Sequence, residues 1–444
     1  MVSQALNAWM NGELVGQWTV ERHSHRFRYA ASWSDSPRWR ALSLSLPASA
    51  SGHIQGDAVR HYFDNLLPDN DTIRARLGKR FRLKSADTFS LLEAIGRDCV
   101  GAVQLLPEGA TPDGWDRIAC TPMSEEQIVA LLQAVPSDIA PGRFEDDGLF
   151  RISIAGAQEK TALLRYQGQW CRPHGATPTT HIFKLPLGLI AGSRRVDASD
   201  SVQNEWVCAH ILGALGLPVA ATSMETFGAQ TILVVERFDR QWMDQGRWIA
   251  RLPQEDFCQS LGIAPDRKYE QHGGPGMSQC LQLLQGSSDA RDSGLFLQTQ
   301  LAFALMAATD GHAKNFSLFL QRGARYHMTP LYDVLSMWPY FGPGPNQFNP
   351  HRAGLAMAVR SKNSHYQFNR IHLRHWKQLA LQNGGLPVWE AMLALLARVD
   401  DALDAVEAML PDDFPVRTWN TIAAGMRSEC ARLVAENTSA CRLN

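Results

Sequence analysis

Long apolar runs are what this chain most plainly lacks. The longest, such as LAFALMAA at 301 to 308, fall well short of the roughly 20 residues that span a bilayer, so no membrane anchor is expected. The opening residues, MVSQALNAWMNGELVGQW, carry no basic segment followed by an apolar one, which argues against a secretory signal and for a cytoplasmic location. Closely spaced cysteines are missing too. The eight that exist, at 99, 120, 171, 208, 258, 280, 430 and 441, form no C-x-x-C pair and no Cys/His cluster at metal-ligand spacing. They read as reduced, mostly buried thiols. Neither sign of charge is in excess: with a formal net charge of −1, any nucleic-acid contact needs a local patch. Internal repeats and long low-complexity stretches are also absent.

What is present suffices for a sizeable core. With 444 residues and 45% hydrophobic content, the chain should fold into two or three domains at roughly 150 residues each. Residues 1–145 open with strand-like pieces, LNAWM, LVGQWTV and HRFRYA, followed by helical spacing in HYFDNLLPDNDTIRARLGKRF and DTFSLLEAIG, with Asp69, Asn70 and Asp71 as candidate caps. Ser124, three residues before Gln127, predicts a capping box on the helix that follows. The turn-prone PSDIAPGRFEDDG, 136 to 148, is the best domain boundary.

Beyond it the pattern changes. FRISIAGAQEKTALLRY reads as two strands joined by a turn at Gly156, THIFKLP as a third strand, SVQNEWVCAHILGALGL as a helix with a Gly stop, and TILVVERF as a buried strand. Hairpin, strand, helix, strand is the order a small nucleotide-binding lobe presents, so 146–250 is assigned to one. From 251 to 444 helices dominate, as in LFLQTQLAFALMAA, LPVWEAMLALLARV and TWNTIAAGMRSECARLVAEN.

The stretch ATDGHAKNFSLF, 308 to 319, follows a predicted helix and leads into the apolar alternation FSLFLQ. Asp310 and Asn315 therefore sit in a helix-to-strand loop, where rigid flanks display reactive side chains. They stand five apart, the D-x-x-x-x-N spacing of a phosphoryl-transfer loop in which Asp accepts a hydroxyl proton and Asn holds Mg²⁺. Asp and Asn are also common in any loop, as caps and turn formers. A second strand in RYHMTPLYDVLSM, paired with FSLFLQ through QRGAR, would return Asp333 close to Asn315 as a further Mg²⁺ ligand; the alternative is a helix cap. Lys184, flanked by Ile182, Phe183 and Leu185, is costly to bury unless it is paired or meets an anion. Glu205 on the next helix is a candidate partner, and an edge lysine facing solvent is the alternative. SIAGAQEKT, 153 to 161, is not a P-loop, since Glu159 stands where a glycine should precede the lysine; a small-residue turn can still cover phosphates with its backbone N–H groups.

Taken in order, FRISIAGAQEKTALL, TPTTHIFKLP, VVERFDR, RLPQEDFCQ, the ATDGHAKNFS loop and TPLYDVLS resemble the HipA family of bacterial serine/threonine kinase toxins, and LSLSLP and FDNLLPD resemble that family's N-terminal region. The resemblance covers nearly the whole chain and is weakest beyond about 375. It implies an α+β, two-lobed protein-kinase-like fold similar to phosphatidylinositol 3/4-kinases, with an added N-terminal β-rich subdomain and a mostly helical C-terminal lobe. It implies a non-specific serine/threonine protein kinase using ATP and Mg²⁺. Asp310 would be the catalytic base, and Asn315 and Asp333 the metal ligands. Lys184 would contact the α-phosphate, the turn of Ile154, Ala155, Gly156, Ala157 and Gln158 would wrap the phosphates, and the backbone of Glu236 and Phe238 would bind adenine. His312 and Lys314 would support the phosphates or the transferred group. Ser153 matches the family's autophosphorylated serine; about two added negative charges there would repel ATP and switch the enzyme off. The implied partners are a HipB-like helix-turn-helix antitoxin, operator DNA through the antitoxin complex, and glutamyl-tRNA synthetase, whose phosphorylation would halt growth and promote persistence. The competing readings are a catalytically silent corepressor and a small-molecule kinase.

One further feature stands apart from the family. Between Asp333 and Glu390 there is no acidic residue, while Arg352, Arg360, Lys362, Arg370, Arg374 and Lys377 are basic and four histidines lie among them. Such a patch suits DNA or an acidic protein substrate; otherwise these side chains are simply spread over several surfaces.

Overall fold

Alternating apolar residues build the first sheet. In the strand Gln4–Met10, Leu6, Ala8 and Met10 are buried and the residues between them are not, the period of two expected of a strand with one covered face. The computed structural model describes residues 4–22, 24–48, 52–136, 152–153, 158–190 and 196–441. Within them the chain divides into two compact units: 1–185, 225–266 and 317–329 form the first, and 186–224, 267–316 and 330–444 the second.

In the first unit, five antiparallel strands run in the order His53–Gln55, Ser24–Tyr29, Glu13–Glu21, Gln4–Met10 and Val103–Pro107. Trp18 on the central strand is fully buried and stacks on Phe63 of the helix Asp57–Asp64 with ring centroids 4.1 Å apart. Of the three candidates Asp69, Asn70 and Asp71, Asn70 is the cap, and the Ser124 capping box is in place. Asn70 accepts from the N–H groups of Thr72 and Ile73, and Ser124 forms the capping box with Gln127.

A second sheet runs Thr222–Phe227, Gln230–Glu236, His181–Lys184, Lys160–Tyr166, Gln169–Pro173, Cys120–Pro122. Among the described residues the expected hairpin across Gly156 is not seen. Ile152–Ser153 instead pairs in parallel with Asp98–Cys99, and Lys160–Tyr166 pairs antiparallel with His181–Lys184 and Gln169–Pro173. The reason is local chemistry at Asp98. Its carboxylate accepts from the N–H and hydroxyl of Thr179 at 3.0 and 2.7 Å, from Arg240 at 2.9 Å, and from Arg237 and Arg251 at 3.4 Å each. This buried knot holds the Asp98–Cys99 strand as a template for Ile152–Ser153. Burial opposes ionisation of Asp98, but the guanidinium groups of Arg240, Arg237 and Arg251 outweigh it and hold the carboxyl well below its ordinary range.

The polar residues of RLPQEDFCQ are largely structural as well. Asp256 caps the helix Phe257–Leu261 with a capping box to Gln259. Glu255 is fully buried and accepts the Leu44 N–H at 2.9 Å. Burial pushes its carboxyl up to about 7, with the Leu44 N–H pulling the other way. A carboxyl raised from 4.5 stabilises the native state fully below that value and loses the contribution as pH rises through about 7. Glu255→Gln is therefore expected to flatten the decline in urea stability across that window. The decline in the native protein should approach roughly 1.4 kcal/mol per pH unit at its steepest, and an unaltered pH slope in the variant would refute the assignment.

The second unit is mainly helical, with Ser201–Ala214, Met277–Leu284, Asp292–Met306, Leu373–Gln382, Gly385–Ala397, Val399–Glu407 and Val416–Cys441. Two two-stranded sheets are added among the described residues, Gly188–Ile190 with Val196–Ala198 and Gly354–Arg360 with Ser364–Gln367. Asp292–Met306 is buried along most of its length, including Phe296, Leu301, Phe303 and Leu305. No helix among the described residues is long and apolar enough to cross a membrane. Cys99, Cys171, Cys208, Cys258 and Cys280 are buried thiols outside any disulfide.

Candidate active site

The helix Asp292–Met306 ends where Ala307 adopts a left-handed conformation, φ 50°. The N–H of Ala308 turns back to the Phe303 carbonyl at 2.8 Å, a C-terminal cap that throws the chain off the helix axis. Thr309 to Asn315 then make a tight loop. The His312 N–H donates to the Asp310 carbonyl at 2.8 Å and the Asn315 N–H to the His312 carbonyl at 2.9 Å. The chain continues into the strand Ser317–Leu320, which pairs antiparallel with Tyr326–Met328, Leu318 opposite Met328. The helix, loop and hairpin are those expected from the sequence.

Asn315 joins the loop to the segment that carries Asp333. Its Nδ2 donates to the carbonyls of Asp310 at 2.9 Å and Asp333 at 3.2 Å. An amide oxygen in that position would face two carbonyl oxygens, so the orientation is settled by chemistry, and Oδ1 remains as an acceptor. The Asp333 segment is anchored independently. Ser336 exchanges two hydrogen bonds with Asn204, its Oγ donates to the Met306 carbonyl at 2.7 Å, and the Met337 N–H donates to the Ala307 carbonyl at 3.2 Å. Tyr332 donates its hydroxyl to the Lys314 carbonyl at 2.9 Å. Asp333 itself has φ 61°, a left-handed conformation uncommon outside glycine and characteristic of functional turns.

Asn315, His312 and Lys314 are buried, whereas the Asp310 side chain is 62% exposed and accessible to a reactant. His312 Nε2 stands 3.7 Å from Asp310 Oδ1. Tyr269, not singled out in the sequence, donates its hydroxyl to that same oxygen and packs edge-on against His312 with centroids 4.8 Å apart. It fixes the direction of the carboxylate. Asn315 Oδ1 and the Asp333 carboxylate are both oxygen donors, which suits Mg²⁺, a cation commonly held by one or two carboxylates together with substrate phosphates. Among the described residues no three His, Cys, Asp or Glu side chains converge into a metal site of their own.

Ser153, Gln158, Lys184, Glu236 and Phe238 lie in the first unit. Lys184, 6% exposed, ends the strand His181–Lys184, opposite Leu233 on one side and Lys160 on the other. Glu236 is paired with His181 at the end of the neighbouring strand, and Phe238 packs edge-on against Phe319 with centroids 5.8 Å apart. Gln158 donates its side-chain amide to the Leu185 carbonyl at 2.6 Å. Ile154, Ala155, Gly156 and Ala157 fall outside the described residues, and Ser153 is described through its backbone pairing with Cys99. Glu205 belongs to the second unit, buried on the helix Ser201–Ala214.

Residues 6–106 match the HipA N-terminal domain and residues 152–409 the HipA-like C-terminal domain. The chain belongs to the HipA family of kinase toxins. A putative kinase of Sinorhizobium fredii, Y4mE, is 33% identical over 424 residues, which cover 93% of each chain. The serine/threonine-protein kinase toxin HipA of Shewanella oneidensis is 26% identical over 424 residues, 90% of this chain and 88% of that one. A Shewanella oneidensis HipA solved together with HipB and its operator DNA superposes with a TM-score of 0.78 at 23% identity, over 97% of both chains. The HipA fold, α+β and kinase-like, is thus the fold of this chain.

Proposed function

We propose that the protein is an ATP-dependent serine/threonine kinase, the toxin of a type II toxin–antitoxin module. The observation that carries this is the Asn315 amide, which bridges the carbonyls of Asp310 and Asp333 and so locks two separate segments together. That bridge turns a weak spacing pattern into a single rigid group of an exposed carboxylate and two oxygen donors.

In this reading Asp310 accepts the proton of the substrate hydroxyl, and Tyr269 and His312 keep its carboxylate in place. Asn315 and Asp333 would hold Mg²⁺, which when bound would supply positive charge to offset that of the phosphoryl group. Lys184 would contact the α-phosphate, residues 154–158 would cover the phosphates, and the backbone of Glu236 and Phe238 would hold adenine. His312 and Lys314 also support the phosphates or the transferred group.

The protein substrate in this reading is glutamyl-tRNA synthetase, and its phosphorylation halts growth and promotes persistence. A HipB-like antitoxin neutralises the kinase and carries it to operator DNA in the cytoplasm. Family membership supports these assignments, as does the Shewanella structure solved with HipB and operator DNA. The test is to incubate the protein with Mg²⁺, labelled ATP and glutamyl-tRNA synthetase and to follow label and aminoacylation together. Label on the synthetase with loss of charging is the expected result; a synthetase that stays unlabelled and active would remove it as the substrate.

Ser153 is the proposed self-inactivation site. Among the described residues its strand pairs as Ile152–Ser153 against Asp98–Cys99, and about two added negative charges there would disturb that pairing. Ser153→Ala is expected to retain substrate phosphorylation while losing the progressive decline of activity during preincubation with ATP. Equal decline in variant and native protein would place the switch elsewhere.

A further inference from the structure

Beside Asp310 lies a cleft formed wholly by the second unit. Its volume is about 1430 Å³, and Thr309 and Tyr269, the neighbour and the hydrogen-bond partner of Asp310, line part of it. A site for a drug-sized molecule usually measures about 300–1,000 Å³. This one is large enough for a stretch of polypeptide.

Its lining is strongly one-sided in charge. Arg352, Arg370 and Arg374 face it and carry that charge, with His365, His372 and His375 beside them, and no aspartate or glutamate is among the described lining residues. The three arginines are exposed. Apart from Asp310 at its edge, carboxylates bonded to the elements around it are engaged: Glu270 with Arg360 and the Ala358 N–H, and Glu436 with His372, Arg432 and the Leu373 N–H. His365 and His375 stack with centroids 4.1 Å apart. Burial, then neighbouring histidines and arginines, holds both below the ordinary histidine value, as expected inside a positive field. Phe341, Phe348 and Tyr366 add apolar surface to the same cleft.

We infer that the cleft binds an acidic segment of the protein substrate and so delivers the acceptor hydroxyl to Asp310. This rests on the kinase reading above, which makes Asp310 the place where that hydroxyl must arrive. Guanidinium groups recognise carboxylates through paired, directional hydrogen bonds, and the aromatic surface suits apolar side chains among the acidic ones. A protein segment is favoured over nucleic acid because the cleft adjoins the reacting carboxylate.

The probe is a fluorescent peptide with one serine among glutamates and leucines, alongside its lysine counterpart, used with the full chain. Anisotropy should show the acidic peptide binding at least about tenfold more tightly than the basic one. The double variant Arg370→Glu, Arg374→Glu should abolish or invert that preference, while circular dichroism and the thermal midpoint stay as in the native protein. With ATP and Mg²⁺, the acidic peptide should have the lower KM in the native protein and lose that advantage in the variant. Absence of any charge preference in binding overturns the proposal whatever the kinetics. Displacement of the peptide by an unrelated DNA duplex that binds more tightly at the same salt also overturns it and gives the cleft to nucleic acid. Selective binding without any phosphoryl transfer would sustain the cleft as a site for acidic segments and count against the kinase reading instead.

Discussion

Replacing Gly311 with alanine is expected to lower phosphoryl transfer about 100-fold without unfolding the protein. A Cβ built at Gly311 would lie 2.4 Å from Cδ2 and 2.6 Å from Cε2 of Phe303, well inside van der Waals contact. Phe303 is 1% exposed on the buried helix Asp292–Met306 and packs near Phe316, so it has little room to yield. The loop must move instead, and it carries Asp310 on one side of Gly311 and His312 on the other. A displacement of about 1 Å at a reacting group costs on the order of 100-fold in rate, and overpacking typically costs about 1–3 kcal/mol of stability. Adding Phe303→Leu should relieve the clash, so the double variant is expected to regain part of the lost kcat. A single variant with native kcat, or a double variant slower than both singles, would show that the loop is not held by this contact.

Asp98→Asn is expected to cost roughly 3–5 kcal/mol in chemical denaturation, because removing one member of a buried ionic group leaves the others uncompensated. Arg237, Arg240 and Arg251 all reach Asp98, and only Arg237 and Arg240 also reach the neighbouring carboxylate Asp239. Asparagine preserves the size and one acceptor but not the charge. The pH dependence separates this from a packing effect. With its native pKa held far below the ordinary 3.8, Asp98 stabilises the fold above that value and loses the contribution as pH falls toward the depressed value. The variant should therefore lack the component of acid destabilisation that begins near pH 4. Asp98→Asn with a denaturation midpoint unchanged to within about 0.5 kcal/mol, the size of an ordinary surface substitution, would contradict the account. A secondary effect is expected at Ser153, whose strand uses the Asp98–Cys99 strand as its partner.

Much of this was legible in the sequence, for physical reasons that differ from residue to residue. Period-two burial marked the strand Gln4–Met10, and side-chain capping chemistry marked Asn70 and Ser124, because both signals are local. The Asp310–Asn315 spacing and the hairpin that returns Asp333 were readable because one tight loop and one short turn leave few alternatives. The pairing of Ile152–Ser153 was not readable. A short apolar strand next to a small-residue turn suggests a hairpin, and its true partner is chosen by an ionic knot assembled from Asp98, Thr179, Arg237, Arg240 and Arg251. Tyr269 was equally hidden, since a lone tyrosine 41 residues before Asp310 has no spacing rule to announce it.

The basic stretch after Asp333 shows both sides of the matter. Its lack of acidic residues was plain in the sequence, but only the fold sorts its members. Arg352, Arg370 and Arg374 line one cleft, whereas Arg360 pairs with Glu270 and Lys377 sits 6.0 Å over the Trp389 ring. Likewise VVERFDR and RLPQEDFCQ carried the family resemblance together with the ATDGHAKNFS loop, yet their Arg237, Asp239, Arg251 and Glu255 are buried and serve the fold.

The most direct test is mass spectrometry of the intact protein after incubation with Mg²⁺ and ATP, comparing the native chain with Asp310→Ala. A phosphate gained by the native protein, located on Ser153, and none gained by a correctly folded Asp310→Ala is the predicted result. Equal phosphorylation of the two would contradict the assignment of Asp310 as the base around which the site is built.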